Sequence, residues 1–224
     1  MDAADHQARP LLAVEGLRYL YPGRASLRFP DCAIAEGEAV ALIGPSGSGK
    51  TTLLMLLAGL LTAQEGRIEV AGRSPGAVSG AARDRWRGRT IGMVLQSFQL
   101  LAHLSVLENL QAAQYFAGAG SDAKAALGTL AALGIAELAH VRPNRLSRGQ
   151  AQRAAIARAV VNRPRLILAD EPTSSLDDDS AAASLRLLLE ASHARGASLL
   201  IATHDKRVTS LVPRCITLRQ AVPA

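Results

Sequence analysis

Aromatic side chains are scarce in this 224-residue chain: one Trp, three Tyr and three Phe, 3% in all. The hydrophobic fraction is still 49%, which excludes a disordered chain and indicates a globular one. Cysteine is nearly absent. Cys32 and Cys215 stand alone, without a Cys-x-x-Cys pair or a histidine cluster, which excludes a disulfide framework and a zinc site and fits a reducing, cytosolic setting. No apolar run approaches the roughly 20 residues that a spanning helix needs; the longest, LLMLLAGLLTA, covers Leu53 to Ala63. The opening MDAADHQARP carries acidic residues and no apolar centre, so no signal peptide is expected and the protein should be soluble by itself. Repeats, low-complexity linkers and heptad runs are missing too, leaving one compact unit as the simplest reading. Lysine occurs only at positions 50, 124 and 206, so the net charge of +6 is an arginine charge. It fits an anionic partner such as nucleic acid, nucleotide or a membrane face, and equally a plain arginine and alanine bias.

Apolar segments of strand length recur at Ala39 to Ile43, Ile91 to Leu95, Leu166 to Ala169 and Ser198 to Ala202, separated by segments of helical period. That alternation predicts a largely parallel α/β sheet. The early pieces LLAVEGLRYLYPG, SLRFPDCAIAEGE and GRIEVAGRSPG are short, bounded by Gly and Pro, and read as antiparallel hairpins. From Gln96 to about Ala157 only helical patterns occur, opening on Ser105 and Ser121 as helix caps. A helical insertion therefore interrupts an α/β core.

Gly44, Pro45, Ser46, Gly47, Ser48, Gly49, Lys50 and Thr51 form a G-P-S-G-S-G-K-T loop, with Thr52 next, between a buried strand and a helix. The glycines allow close backbone approach, and their N–H groups with the helix N-terminus make a nest for phosphate oxygens. Lys50 would reach the β- and γ-phosphates of a nucleotide and Thr51 a Mg²⁺ ion, which by itself leaves a kinase, GTPase, helicase or transporter motor open. LILADE then delivers Asp170 and Glu171 at the carboxyl end of a strand, the edge where ligands bind in parallel α/β sheets. Asp170 would hold Mg²⁺ through water, and Glu171 would orient and deprotonate the attacking water. Asp178 or Asp179 reads as a cap for the helix that follows.

With these motifs in place the chain resembles the ATP-binding cassette ATPases over nearly its full length. The motifs fall in family order: the phosphate loop at 44–51, Gln96 after IGMVL, LSRGQ at 146–150, LILADE at 166–171, SSLD at 174–177 and His204 in IATHD. The resemblance implies a P-loop (RecA-like) α/β core with an N-terminal antiparallel β subdomain. An α-helical signature subdomain would span 96–157, and 1–95 with 158–224 would form the rest. It also implies a homodimer sandwiching two ATP molecules, each phosphate loop facing Ser147, Arg148, Gly149 and Gln150 of the other copy. Gln96 would reach Mg²⁺ and the water, His204 the γ-phosphate region, and Asp177 would link the two sites. Tyr21 stands where the family has an aromatic that stacks on adenine; Tyr19 nearby, or a core role for Tyr21, are the other readings.

Nucleic-acid ATPases with this site usually split it with a coiled coil or duplicate it, and neither device occurs here, which argues against a nucleic-acid partner. A transporter subunit with its permease on a separate chain is the expectation, at the cytoplasmic face of the inner membrane. Phe98, Leu100 and Leu101 in SFQLLAHLSVLENL would receive the permease or fill the subdomain's own core. Within the family, LILADEPTSSLD and FQLLAHLSVLENL resemble the lipoprotein-release and macrolide-export group, which includes a division-type signalling cassette. Export of a lipophilic or envelope substrate, signalling without transport, and amino-acid import all stay open, while the lack of a domain after the last strand argues against sugar import. The signature departs from the family at Arg148, where the family has Gly. An arginine at a helix start opposes the macrodipole by about 0.3–1 kcal/mol, and a left-handed torsion would add roughly 1–2 kcal/mol. Either Arg148 contacts the phosphate of the other copy's ATP, or it is an exposed residue tolerated because Gly149 keeps the close approach.

Overall fold

The computed structural model describes residues 9–22, 26–174 and 178–219. In chain order its first half holds β1 (Leu12–Leu20), β2 (Ser26–Arg28), β3 (Cys32–Ile34), β4 (Ala39–Ile43), α1 (Lys50–Leu57), β5 (Glu65–Val70), α2 (Gly80–Thr90) and β6 (Ile91–Val94). Then come α3 (Val106–Phe116), α4 (Ala123–Ala132), α5 (Arg148–Val160), β7 (Leu166–Asp170), α6 (Asp178–His193), β8 (Ser198–Thr203), α7 (Lys206–Leu211) and β9 (Cys215–Thr217). All four strands expected for the parallel sheet are present, within two residues of their expected ends.

The early strands make an antiparallel sheet with β1 as its spine. β2 and β3 share one edge, pairing Arg18 with Arg28 and Leu12 with Ile34, while β5 runs along the other from Val70 to Glu65. The second sheet is wholly parallel, in the order β6-β7-β8-β4-β9. Side chains alternate between the faces of a strand. Val40, Leu42, Leu166, Leu168, Leu200 and Ala202 therefore enter one apolar core, shared with α1 and the antiparallel sheet. Ala41, Ile167, Ala169, Leu199 and Ile201 enter a second, covered by α3, α4, α5 and α6. Burial on both faces is why these strands read as continuous apolar runs rather than alternating ones.

The alanines of α5 have a packing reason. Ala154, Ala155, Ala157 and Ala159 are buried where α5 packs on β6 and the neighbouring helices, and the approach to β6 is so close that a Cβ on Gly92 would collide with the Ala159 carbonyl oxygen. The helical insertion is held by its caps. Ser105 and Glu108 form a reciprocal capping box at the start of α3, and the buried Asn109 side chain accepts from Leu101 N while donating to the carbonyls of Leu101, Leu104 and Ser105.

One local expectation is corrected. α4 is capped by Asp122, whose carboxylate accepts from Ala125 N, and not by Ser121. α6 begins at Asp178, and the cap expected of Asp178 or Asp179 falls on side chains outside those described. α2, whose one buried side chain is Trp86, and the edge strand β9 were not apparent from sequence pattern, since neither carries enough apolar residues to show a period.

Candidate functional site

The parallel sheet brings the carboxyl ends of β4 and β7 to one edge with β8 between them. The loop leaving β4 turns into α1 through Gly47 and Gly49, with φ of +78° and +94°, in the left-handed region that favours glycine. Gly49 is the N-cap of α1 and no side chain caps that helix, so its first N–H groups are open to an anion. Lys50 is buried and folds back, donating from Nζ to the carbonyls of Gly44 at 2.8 Å and Pro45 at 3.2 Å. The Pro45 carbonyl also accepts from Ser48 N. Thr52 is buried and shares a 3.2 Å hydrogen bond with the Tyr21 hydroxyl. Tyr19 packs edge-on against Tyr21, with ring centroids 4.8 Å apart.

Across the edge, Thr51 Oγ1 donates to Asp170 Oδ2 at 2.8 Å. Asp170 is the last residue of β7 and is 6% exposed. Burial pushes its carboxyl up from the ordinary range and the Glu171 charge adds to that, while the Thr51 hydrogen bond and Lys50 oppose it. Its second oxygen, Oδ1, is buried with no hydrogen-bond partner among the described residues. Glu171 follows in a left-handed turn with φ +47°, held by its N–H donating to Ala202 O at 2.8 Å. Its carboxylate meets His204 Nδ1 at 2.8 Å, Thr203 Oγ1 at 3.2 Å and Lys50 Nζ at 3.6 Å. The turn beyond is clamped from two sides: Gln152 of α5 donates to Pro172 O, and Thr173 Oγ1 donates to Asp205 Oδ2 at 2.9 Å. Asp205 is held down to about pKa 2 chiefly by its hydrogen bonds from Arg207, with burial partly opposing.

These residues line one cleft of about 680 Å³: Tyr21, Leu27, Ser46, Gly47, Gly49, Lys50, Thr51, Thr52, Gln96, Glu171 and His204. The residues of the signature turn do not line it. Ser147 caps α5 in a reciprocal box with Gln150, and Ser147, Arg148 and Gly149 are exposed. Arg148 has no left-handed torsion, so of the two readings the ordinary torsion holds and that strain does not arise. Its Nη2 donates to Ser174 O at 3.0 Å and its guanidinium carbon lies 5.6 Å from the centroid of the Phe98 ring. Beside it, Phe98 and Gln99 are left-handed, at φ +58° and +47°, a conformation unfavourable by roughly 1–2 kcal/mol per residue. Arg158, from the far end of α5, donates to both of their carbonyls. Leu100 packs against the core beneath α3 and Leu101 is exposed. Asp177 lies outside the described residues. Gln152, Thr203 and Asp205 were not singled out from sequence, because their partners lie 20 or more residues away.

A glycine-lined anion nest facing two carboxylates at the next-but-one strand end defines a phosphate-loop nucleotide hydrolase. The chain belongs to the ABC transporter family and is an ATPase subunit of that class: the family described as ABC transporter matches residues 28–174. It is 40% identical to the lipoprotein-releasing system ATP-binding protein LolD of Xanthomonas campestris pv. campestris (strain 8004), over 85% of this chain and 80% of that one. It is 41% identical to the macrolide export ATP-binding/permease protein MacB of Rhodopseudomonas palustris (strain BisB18), over 96% of this chain but 34% of that one. Two dimeric structures of the ABC transporter cassette MJ0796, one in a post-hydrolysis state bound to ADP and Pi, superpose with TM-scores of 0.83 and 0.82. Each is 32% identical and covers 94% of this chain and 95% of the other.

Proposed function

We propose that two copies of this chain hydrolyse Mg-ATP at their shared interface and drive a separate membrane permease in the export or extraction of a lipophilic or envelope substrate. The observation that carries this reading is the incomplete cleft: one chain lines it with the phosphate loop and Glu171, while Ser147, Arg148 and Gly149 stand exposed elsewhere. A second copy would complete it, with Ser147, Gly149 and Gln150 at the γ-phosphate and Asp177 between the two sites. Resemblance to the LolD and MacB proteins supports the direction of transport. Among the described residues no helix is long and apolar enough to cross a membrane, so a permease would anchor the chain at the cytoplasmic face of the inner membrane.

Within the cleft, the N–H groups of residues 46–51 would cradle the phosphates of ATP and Lys50 would leave its carbonyl partners for the β- and γ-oxygens. The unsatisfied Asp170 Oδ1, beside the Thr51 hydroxyl and with Gln96 on the cleft wall, is an oxygen donor set that fits Mg²⁺ shared with phosphate and water. When bound, the ion neutralises developing phosphate charge. Glu171 accepts the proton of the attacking water at its carboxylate, and His204 holds that carboxylate and faces the γ-phosphate region. Tyr21 would stack on adenine, its hydroxyl fixed by Thr52. Purification from membranes tests the assembly: a co-purifying permease with a large extracytoplasmic domain is expected. Light scattering that finds only monomer with saturating Mg-ATP, both alone and with the permease, refutes the shared site.

A further inference from the structure

α5 grips the turn that begins at Glu171 in two ways. Gln152 is buried and donates to Pro172 O at 2.6 Å, a fixed contact. Arg148 is exposed and donates to Ser174 O at 3.0 Å. Ser174 closes that turn, its N–H donating to Glu171 O at 3.1 Å. The same guanidinium lies over the ring of Phe98, two residues beyond Gln96. At the start of α5 the Ser147 and Gln150 side chains face one another in their capping box, each accepting from the other's backbone N–H, and Gly149 has no side chain. Among the described residues, Arg148 is the one of 147–150 whose side chain reaches neighbouring segments, and it reaches both at once.

A guanidinium suits this pair of contacts, because its plane offers N–H groups at the edge for a carbonyl while its face lies against an aromatic ring, which a lysine ammonium cannot reproduce. Phe98 cannot shift without disturbing that cation–π contact, since its own backbone is left-handed and pinned by Arg158. We infer that Arg148 is a positioning residue for hydrolysis: it couples Phe98 to the turn carrying Glu171, so that a partner pressing on Phe98 changes the aim of the general base. The inference builds on the reading of Glu171 as that base. It differs from a phosphate contact in the second copy, which would act on nucleotide affinity.

The test is Mg-ATP hydrolysis by the full chain with its permease, comparing wild type, Arg148→Gly, Arg148→Lys, Phe98→Leu and the Arg148→Gly/Phe98→Leu pair. Arg148→Gly should lower kcat about three- to tenfold, the size of one exposed charged contact, with KM for ATP within about twofold. Arg148→Lys should recover only part of the loss. The double variant should be no worse than the worse single variant, the sign of two residues acting as one unit. Wild-type kcat in Arg148→Gly, losses that multiply in the double variant, or a change confined to KM would each overturn the inference. Urea melts of every variant separate a folding defect from a catalytic one, and rescue by lysine cannot arise from an unfolded chain. An active wild type with a dead Glu171→Gln variant and multiplying losses refutes the role of Arg148 alone. A Glu171→Gln variant that still turns over refutes the base beneath it.

Discussion

Glu171→Gln tests the chemistry most directly, because it should move binding and turnover in opposite directions. Glutamine keeps the size of the side chain and can still meet His204 and Thr203, so the turn should hold. It cannot accept the proton of the attacking water, and losing a general base lowers kcat by about 10²–10⁴-fold. That corresponds to about 3–6 kcal/mol at roughly 1.4 kcal/mol per tenfold. The second effect comes from Lys50. Its ammonium sits 3.6 Å from Glu171 Oε1, with side chains 8% and 12% exposed. At an effective dielectric constant near 20 that attraction is on the order of 5 kcal/mol gross. Most of it is offset, since Lys50 also donates to two carbonyls and Glu171 has two further donors. A net gain of about 1–2 kcal/mol when the competitor is removed would tighten ATP binding roughly five- to thirtyfold. Single-turnover hydrolysis and equilibrium titration with ATP read the two quantities. Near-normal turnover removes Glu171 as the base, and unchanged or weaker binding removes it as a competitor for Lys50.

The other predictions address binding, packing and acid stability. Lys50→Ala should weaken nucleotide binding, so that ATP no longer raises the melting temperature as it does in the wild type; an undiminished rise would contradict the phosphate cradle. Gly92→Ala puts a methyl group against the Ala159 carbonyl and should destabilise by about 1–3 kcal/mol in urea unfolding, as overpacking does, whereas a neutral result would mean that α5 can lift from the sheet. Asp205 is held at about pKa 2, below its ordinary 3.8, so its stabilisation is complete above about pH 4 and lost as pH falls towards 2. Asp205→Asn should therefore be less stable than wild type at neutral pH, with the gap closing between pH 4 and 2; a gap independent of pH would rule out the charged pairing with Arg207 as its source.

Much of the site was legible because it is written in contiguous residues. The phosphate loop needs only a strand, glycines at the tight turn and a lysine opening the helix, all within Ala39 to Thr52, and LILADE announces a buried strand ending in carboxylates. The parallel sheet showed itself through apolar runs covered on both faces. Ser105 was a readable cap because its partner Glu108 is three residues on. Less of the fold was legible where local signals compete or fade: Asp122 outdoes its neighbour Ser121 for the same orphan N–H groups, and a three-residue edge strand such as β9 carries no period.

By itself the sequence determined the order of the motifs, the class of element each sits on and the anionic, nucleotide-binding chemistry, since these depend on backbone torsions and hydrogen bonds between near neighbours. Tertiary structure decided which groups meet. Thr51 and Asp170 are 119 residues apart and touch because the sheet sets one strand between β4 and β7. Lys50 and His204 converge on Glu171 for the same reason. Arg148, which sequence left between a phosphate contact and a bystander, turns to Ser174 and Phe98 because the packing of α5 on the sheet brings both within reach of its guanidinium. A side chain's type is local, but its partner is chosen by whatever long-range packing puts beside it.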